Sequence, residues 1–167
     1  MGQPSVTSIH ISKEYLHFSS AHFTIFSAEE REDLHGHTFY VTTTLDCTVG
    51  EDGLAFDYNL IKSKLKALCD RLDEKMLLPE QSPHLRLSNQ DGYLIAEFAG
   101  ERIPFLPRDV VTLPLRNITV EELAPWFLSQ LRCDAEVRDQ SISRILLQVS
   151  SGPGQWAESA WAAEQIR

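Results

Sequence analysis

Hydrophobic positions change their period several times along the chain, and each change marks an element. From Ile9 to Phe18 they alternate imperfectly with polar residues. The run from Thr38 to Val49, Thr-Phe-Tyr-Val-Thr-Thr-Thr-Leu-Asp-Cys-Thr-Val, is rich in β-branched and aromatic side chains. Both segments predict strands, because such side chains suit a pleated, half-buried surface. Gly50-Glu51-Asp52-Gly53 closes the second with a turn. Beyond Asp57, a candidate cap, Ile61, Leu65, Leu68 and Leu72 recur at helical spacing and draw one buried stripe. Lys62, Lys64 and Lys66 flank it as an expected solvated face.

From Leu85 to Leu115 the pattern returns to strands, with Asn89-Gln90-Asp91-Gly92 as a turn between Leu85-Arg86-Leu87 and Tyr93 to Phe98. Gly100, Pro104, Pro107 and Pro114 cut the remainder of that stretch into short pieces. A second helix is predicted from Thr119, where Thr119-Val120-Glu121-Glu122 reads as a capping box. Pro125 should bend that helix, since it removes a backbone donor. Ile145 to Val149 is a last strong strand. The predicted order is β-β-α-(β-β)-α-β, an α+β chain, and one domain is expected over residues 1–167.

Charge and composition narrow the classes of function. A net charge of -9 argues against nucleic acid as a general partner, because phosphate backbones are bound by clustered Lys and Arg. No apolar run approaches the roughly 20 residues that span a bilayer, so no membrane association is expected. Met1 to Ser5 offers neither the basic nor the apolar region of a secretory signal. Cys47, Cys69 and Cys133 are widely spaced and odd in number, which suits a reducing cytoplasm.

The candidate chemistry lies in the histidines. His35 and His37 flank Gly36, and in an extended segment their side chains share a face. Glycine between them lets the backbone bend toward a shared centre. A tetrahedral zinc site wants a third protein ligand and an open position for chemistry. His22 is the candidate, if a strand ending there pairs with the one beginning at Thr38. His10, His17 and His84 lack such spacing and are expected to be ordinary histidines.

Phe18-Ser19-Ser20-Ala21-His22 followed by Leu34-His35-Gly36-His37 resembles the paired zinc-binding signatures of the 6-pyruvoyltetrahydropterin and 6-carboxytetrahydropterin synthases. The resemblance continues through Gly53 to Lys62, Leu72-Asp73, Thr119 to Ala124 and Gly152 to Ala157. It runs from about Ile9 to Trp161, interrupted by an apparent insertion near residues 91–113. It implies the tunnelling fold: an antiparallel sheet with two helices on one face, here with an inserted β-hairpin. It also implies a zinc ion on His22, His35 and His37, a dihydropterin substrate, and a homo-oligomer with active sites between subunits.

Three family positions do not carry over. Ala28 to Leu34 contains no cysteine, where the synthases place one shortly before His-Gly-His. The family's Asp-His pair after the first helix is Asp73-Glu74, so Glu74 is the stand-in proton carrier, with Asp73 beside it. The carboxylate that anchors the pterin falls at Ser150 or Ser151, and Thr119 is a further candidate ring contact. A serine cannot supply the paired, charge-assisted bonds that a carboxylate gives to a guanidine-like edge. Glu32, however, stands in the spacing Glu-x-x-His-Gly-His of a family branch that resembles aldolases. The sequence thus supports two expectations: a zinc enzyme that cleaves the dihydroneopterin side chain with Glu32 as acid/base, or a non-catalytic zinc-binding relative with a different ligand.

Overall fold

In the computed structural model, which describes residues 5–163, the first predicted strand is in fact two. β1 (Ser5–Ile11) and β2 (His17–His22) both lie along one edge of the 15-residue β3 (His35–Val49). β2 pairs with the first part of β3, His22 opposite His35, and β1 with the last part, Ser5 opposite Val49. Leu16 is fully buried in the break, where its carbonyl accepts the Val41 N–H at 2.9 Å. β3 begins three residues earlier than the β-branched run suggests, at the histidines themselves.

Helix α1 (Asn59–Leu72) follows, with the Asp57 carboxylate accepting the Asn59 N–H at 2.9 Å. Its buried residues are Ile61, Leu65, Cys69 and Leu72, so Cys69 takes the place expected for Leu68, which only borders the core. Lys64 leaves the solvated face to pair with Asp134 at 2.9 Å. β4 (Lys75–Pro79) then returns parallel to β2.

β5 (Arg86–Gln90), β6 (Tyr93–Phe98) and β7 (Glu101–Phe105) form a separate antiparallel meander, so the expected hairpin carries a third strand. Its two turns are two residues long. Asp91-Gly92 and Ala99-Gly100 both have positive φ, the pairing that matches the twist of antiparallel strands. β8 (Val110–Leu113) rejoins the main sheet parallel to β4, which makes that sheet mixed rather than wholly antiparallel.

α2 (Val120–Cys133) starts at Thr119 and continues through Pro125, and the one-turn α3 (Ala135–Arg138) leads into β9 (Ile142–Ser150). The capping box does not form. The Thr119 hydroxyl makes no cap bond, and Glu122 turns instead to Arg116, accepting from Nε at 3.0 Å. β10 (Ala157–Ala162) pairs with β9 at the sheet edge.

Among the described residues the main sheet runs β10-β9-β3-β2-β4-β8, with β1 also on β3. Both long helices cover one of its faces. Phe18 stacks on Phe39 and on Phe127, with ring centroids 4.9 and 5.8 Å apart, tying β2, β3 and α2 together. β4 alternates between two cores: Leu77 points into the main one, while Met76 and Leu78 join Phe23, Ile25, Leu85, Ala96 and Phe98 against the small sheet. Among the described residues no helix is long and apolar enough to cross a membrane.

Candidate metal centre

The antiparallel register places the three histidines together. His22 and His35 are direct cross-strand partners, and His37 lies two residues along β3 on the same face. Their ring centroids are 4.7 to 5.3 Å apart, and one nitrogen from each lies within 4.8 Å of the others. Phe39 is next on that face, packed edge-on to His22 and His37. The site therefore occupies the end of the helix-covered face, where the apolar core gives way to imidazoles. Gly36 serves it by close approach, not by an unusual bend. A Cβ there would sit 3.3 Å from the Ser20 carbonyl oxygen.

Hydrogen bonds select the nitrogen that two of the rings present. A carbonyl only accepts, so His22 Nδ1–H donates to Ile118 at 2.9 Å and His35 Nδ1–H to Asp33 at 2.8 Å. Nε2 of both rings then carries a lone pair. His35 Nε2 and His37 Nε2 are 3.0 Å apart. His22 is 5% exposed, and its Nε2 has no hydrogen-bond partner. A buried polar atom without a partner is costly, and a cation held between the rings would satisfy it. Two imidazoles oriented by carbonyls on their far side, with a third beside them, are a donor set that fits a divalent metal.

A cavity of about 260 Å³ opens over the triad, and Thr24, Glu32, Thr119, Glu121, Ser151 and Gln155 contribute to its wall. Glu32 arrives on the hairpin between β2 and β3, where its Oε2 accepts the Thr24 N–H at 2.9 Å and lies 3.8 Å from His35 Nε2. Partial burial pushes its carboxyl upward. The Thr24 hydrogen bonds and the neighbouring imidazoles outweigh that and hold it below the usual range, so it is a carboxylate at neutral pH.

The other expected site residues are scattered. Thr119 and Ser151 reach the cavity; the Thr119 hydroxyl is free for it because the cap bond is not made. Ser150 is fully buried, and its hydroxyl is bound to Gly152. Glu74 has left-handed backbone, φ 56°, and lines a different cleft with Ser19, His37 and Phe105. Asp73 lines neither cavity; its carboxylate accepts the Ser19 N–H at 2.7 Å. Glu121 and Gln155 were not singled out from sequence. The position Thr119-x-Glu121 at a helix start could have marked the first, but the capping reading absorbed it.

Among the described residues no cysteine lines the cavity. Cys47 and Cys69 are buried in the main core, and burial pushes the Cys69 thiol up to about 12, so it stays protonated.

Burial also holds His22 below the ordinary imidazole range. The folded, metal-free chain then binds that proton more weakly than the unfolded chain does. Linkage requires stability to fall as pH drops through the unfolded value of about 6.5. Urea unfolding of metal-free protein at pH 7.0 and 5.5 should show that loss, and His22→Gln should reduce it. Equal loss in both proteins would contradict this assignment.

Known proteins share this architecture. Residues 10–160 match the 6-pyruvoyl tetrahydropterin synthase family. A Methanocaldococcus jannaschii protein described as a candidate 6-carboxy-5,6,7,8-tetrahydropterin synthase is 30% identical over 144 residues, covering 85% of this chain and 88% of its own length. The crystal structure of 6-pyruvoyl tetrahydropterin synthase from Plasmodium vivax superposes with a TM-score of 0.88 at 26% identity, over 95% of this chain and 99% of that one. A variant of the P. vivax enzyme, with a catalytic glutamate changed to alanine, superposes equally well at 25% identity and the same coverage. With its match over most of its length, the chain belongs to the 6-pyruvoyl tetrahydropterin synthase family.

Proposed function

We propose that this chain, acting as a single domain, is a zinc-dependent enzyme that cleaves the side chain of 7,8-dihydroneopterin triphosphate or a related dihydropterin, with Glu32 as acid/base. The observation that carries the reading is the pairing of an ionised Glu32 beside the triad with a cavity that, among the described residues, no cysteine lines. The P. vivax relative, in which a glutamate is named catalytic, supports the same assignment. Three nitrogen donors with an open side suit catalytic zinc. Bound there, zinc would supply a Lewis acid toward the side-chain hydroxyls.

The residues then divide the work. Glu32 takes the proton of the C2′ hydroxyl as the C1′–C2′ bond breaks, and C2′ departs as an aldehyde. The electron pair stays on C1′, spread into the adjoining C6–N5 imine of the ring. Glu32 returns its proton to C1′, leaving a 6-hydroxymethyl group, so the step needs no co-reactant. Thr24 holds the carboxylate in place throughout. Glu121 and Gln155, on the wall beside Ser151, offer a carboxylate and a carboxamide to the aminopyrimidine edge where the family's anchoring position has become serine.

Glu74, on the far side of His37, belongs in this reading to a site completed between copies of the chain, within a homo-oligomer. Free Cys47, Cys69 and Cys133 suit a reducing cytoplasm. One observation favours the second reading, a zinc-binding relative without catalysis: Ser150 is buried away from the cavity and Ser151 brings only a hydroxyl.

Titrating zinc-loaded and metal-free protein with 7,8-dihydroneopterin triphosphate, followed by pterin fluorescence, tests the substrate class. Saturable binding that weakens on zinc removal is expected. No binding to the loaded protein would exclude this substrate.

A further inference from the structure

The hairpin that carries Glu32 makes one β-bridge of its own, Ile25 opposite Arg31, and closes through the Phe26 and Ser27 N–H groups donating to the Glu30 carbonyl. Its second core packs it against β4 and the small sheet, and the Arg31 guanidinium lies over the Phe23 and Phe98 rings at 4.8 and 5.8 Å. The apolar part of this packing is non-directional, and Arg31 adds directional contacts to the Glu32 carbonyl at 2.8 Å and to Glu101 on the small sheet at 3.5 Å. They hold the hairpin on the small sheet, and none of them is made to a histidine of the triad.

On the opposite flank one side chain ties the hairpin to the segment that orients His22. Asn117 accepts the Ile25 N–H on Oδ1 at 3.1 Å and donates from Nδ2 to the Ile25 carbonyl at 2.8 Å, as a strand partner would. The same Oδ1 accepts the Ile118 N–H at 3.1 Å. The Ile118 carbonyl is the group that orients His22, and Ile25 adjoins Thr24, which holds Glu32. Hydrogen bonds of 2.8 to 3.1 Å, joined by the backbone between Thr24 and Ile25 and within Ile118, thus connect the acid/base carboxylate to the most buried imidazole, with Asn117 at the centre.

We infer that Asn117 is a positioning residue that sets the Glu32 hairpin and the His22–Ile118 pair in one frame. This rests on the reading of Glu32 and the triad as one site. A carboxamide suits the role because it presents a donor and an acceptor together, as a peptide does. Aspartate would keep the two acceptor bonds and lose the donor. Displacements of about 1 Å can cost a hundredfold in rate, so a residue that touches no substrate can still govern turnover.

The test compares wild type, Asn117→Ala, Asn117→Asp and Asp134→Ala, the last removing the cap of the remote α3. Three quantities are read: zinc affinity by chelator competition, the visible spectrum of the cobalt(II) form, and amide exchange at Thr24, Ile25 and Glu32. Kinetics with 7,8-dihydroneopterin triphosphate complete the set. Asn117→Ala should weaken zinc by about tenfold or more, shift the cobalt bands, and speed exchange in the hairpin. Its kcat should fall at least about tenfold while KM moves much less. Asp134→Ala should lower stability and leave zinc affinity and spectrum unchanged.

Asn117→Asp should separate the two arms, freeing the hairpin and lowering kcat with zinc affinity nearly intact; it also serves if the alanine variant does not fold. Unchanged zinc affinity, spectrum and hairpin exchange in Asn117→Ala would overturn the proposal, whatever its melting temperature. So would unchanged hairpin exchange in Asn117→Asp. Wild type that binds zinc but converts no pterin would refute the catalytic reading, and affinity and exchange would still decide the role of Asn117.

Discussion

Glu32→Gln should lower turnover of 7,8-dihydroneopterin triphosphate by a factor of about 10² to 10⁴, the range general acid–base catalysis contributes, with zinc still near one ion per chain. Glutamine keeps the size of the side chain and an oxygen that accepts the Thr24 N–H, which holds Glu32 at 2.9 Å. What it loses is the ability to take and return a proton. The carboxyl is held below its usual range, so near neutral pH the wild type already stands in the proton-accepting form. Matched zinc content with lost turnover would place the defect in the proton step. Equal turnover in the two proteins would remove Glu32 from the mechanism and leave the aldolase-type reading without a base.

The second large effect is on the metal. His35→Ala should weaken zinc by more than about a hundredfold, beyond the upper range for residues that only orient a ligand, because it deletes one of the three proposed ligands. His35 is the informative choice, since it is only partly buried, whereas His22 is part of the packed interior. Its removal tests ligation with little confounding loss of fold. His84→Ala, at an exposed histidine outside the triad, should leave zinc content unchanged. Full zinc occupancy in His35→Ala, by elemental analysis after dialysis, would take the triad out of the account.

The clustering of the three histidines was legible in the sequence because it follows from strand periodicity. His35 and His37 share a face by the two-residue repeat, and pairing of β2 with β3 needed only the right register to bring in His22. The parts that were not legible depend on contacts between distant segments. Asn117 is an unremarkable polar residue before a helix until Ile25, 92 positions earlier, lies beside it. The capping box at Thr119 matched a local rule, but Arg116 drew Glu122 away and left the hydroxyl to the cavity. β10, Ala-Glu-Ser-Ala-Trp-Ala, has few residues of high strand propensity and forms through its pairing with β9. β4 hides its period because Met76, Leu77 and Leu78 are buried on both faces, between two cores.

The parallel contacts of β4 with β2 and β8 also bear on Glu74. The Glu74 N–H donates to the Ser19 carbonyl at 2.8 Å, fixing the residue at the entry to β4 in its left-handed conformation. A non-glycine residue held there costs on the order of 1 kcal/mol. The surrounding pairing maintains it, with its side chain on the cleft next to His37 rather than in the cavity with Glu32.

The most direct measurement is to incubate zinc-loaded protein with 7,8-dihydroneopterin triphosphate and identify the pterin product by mass spectrometry. The account predicts a 6-hydroxymethyl pterin, formed by the wild type and lost in Glu32→Gln. A 6-carboxy or 6-pyruvoyl product, or no product from protein carrying its zinc, would contradict it.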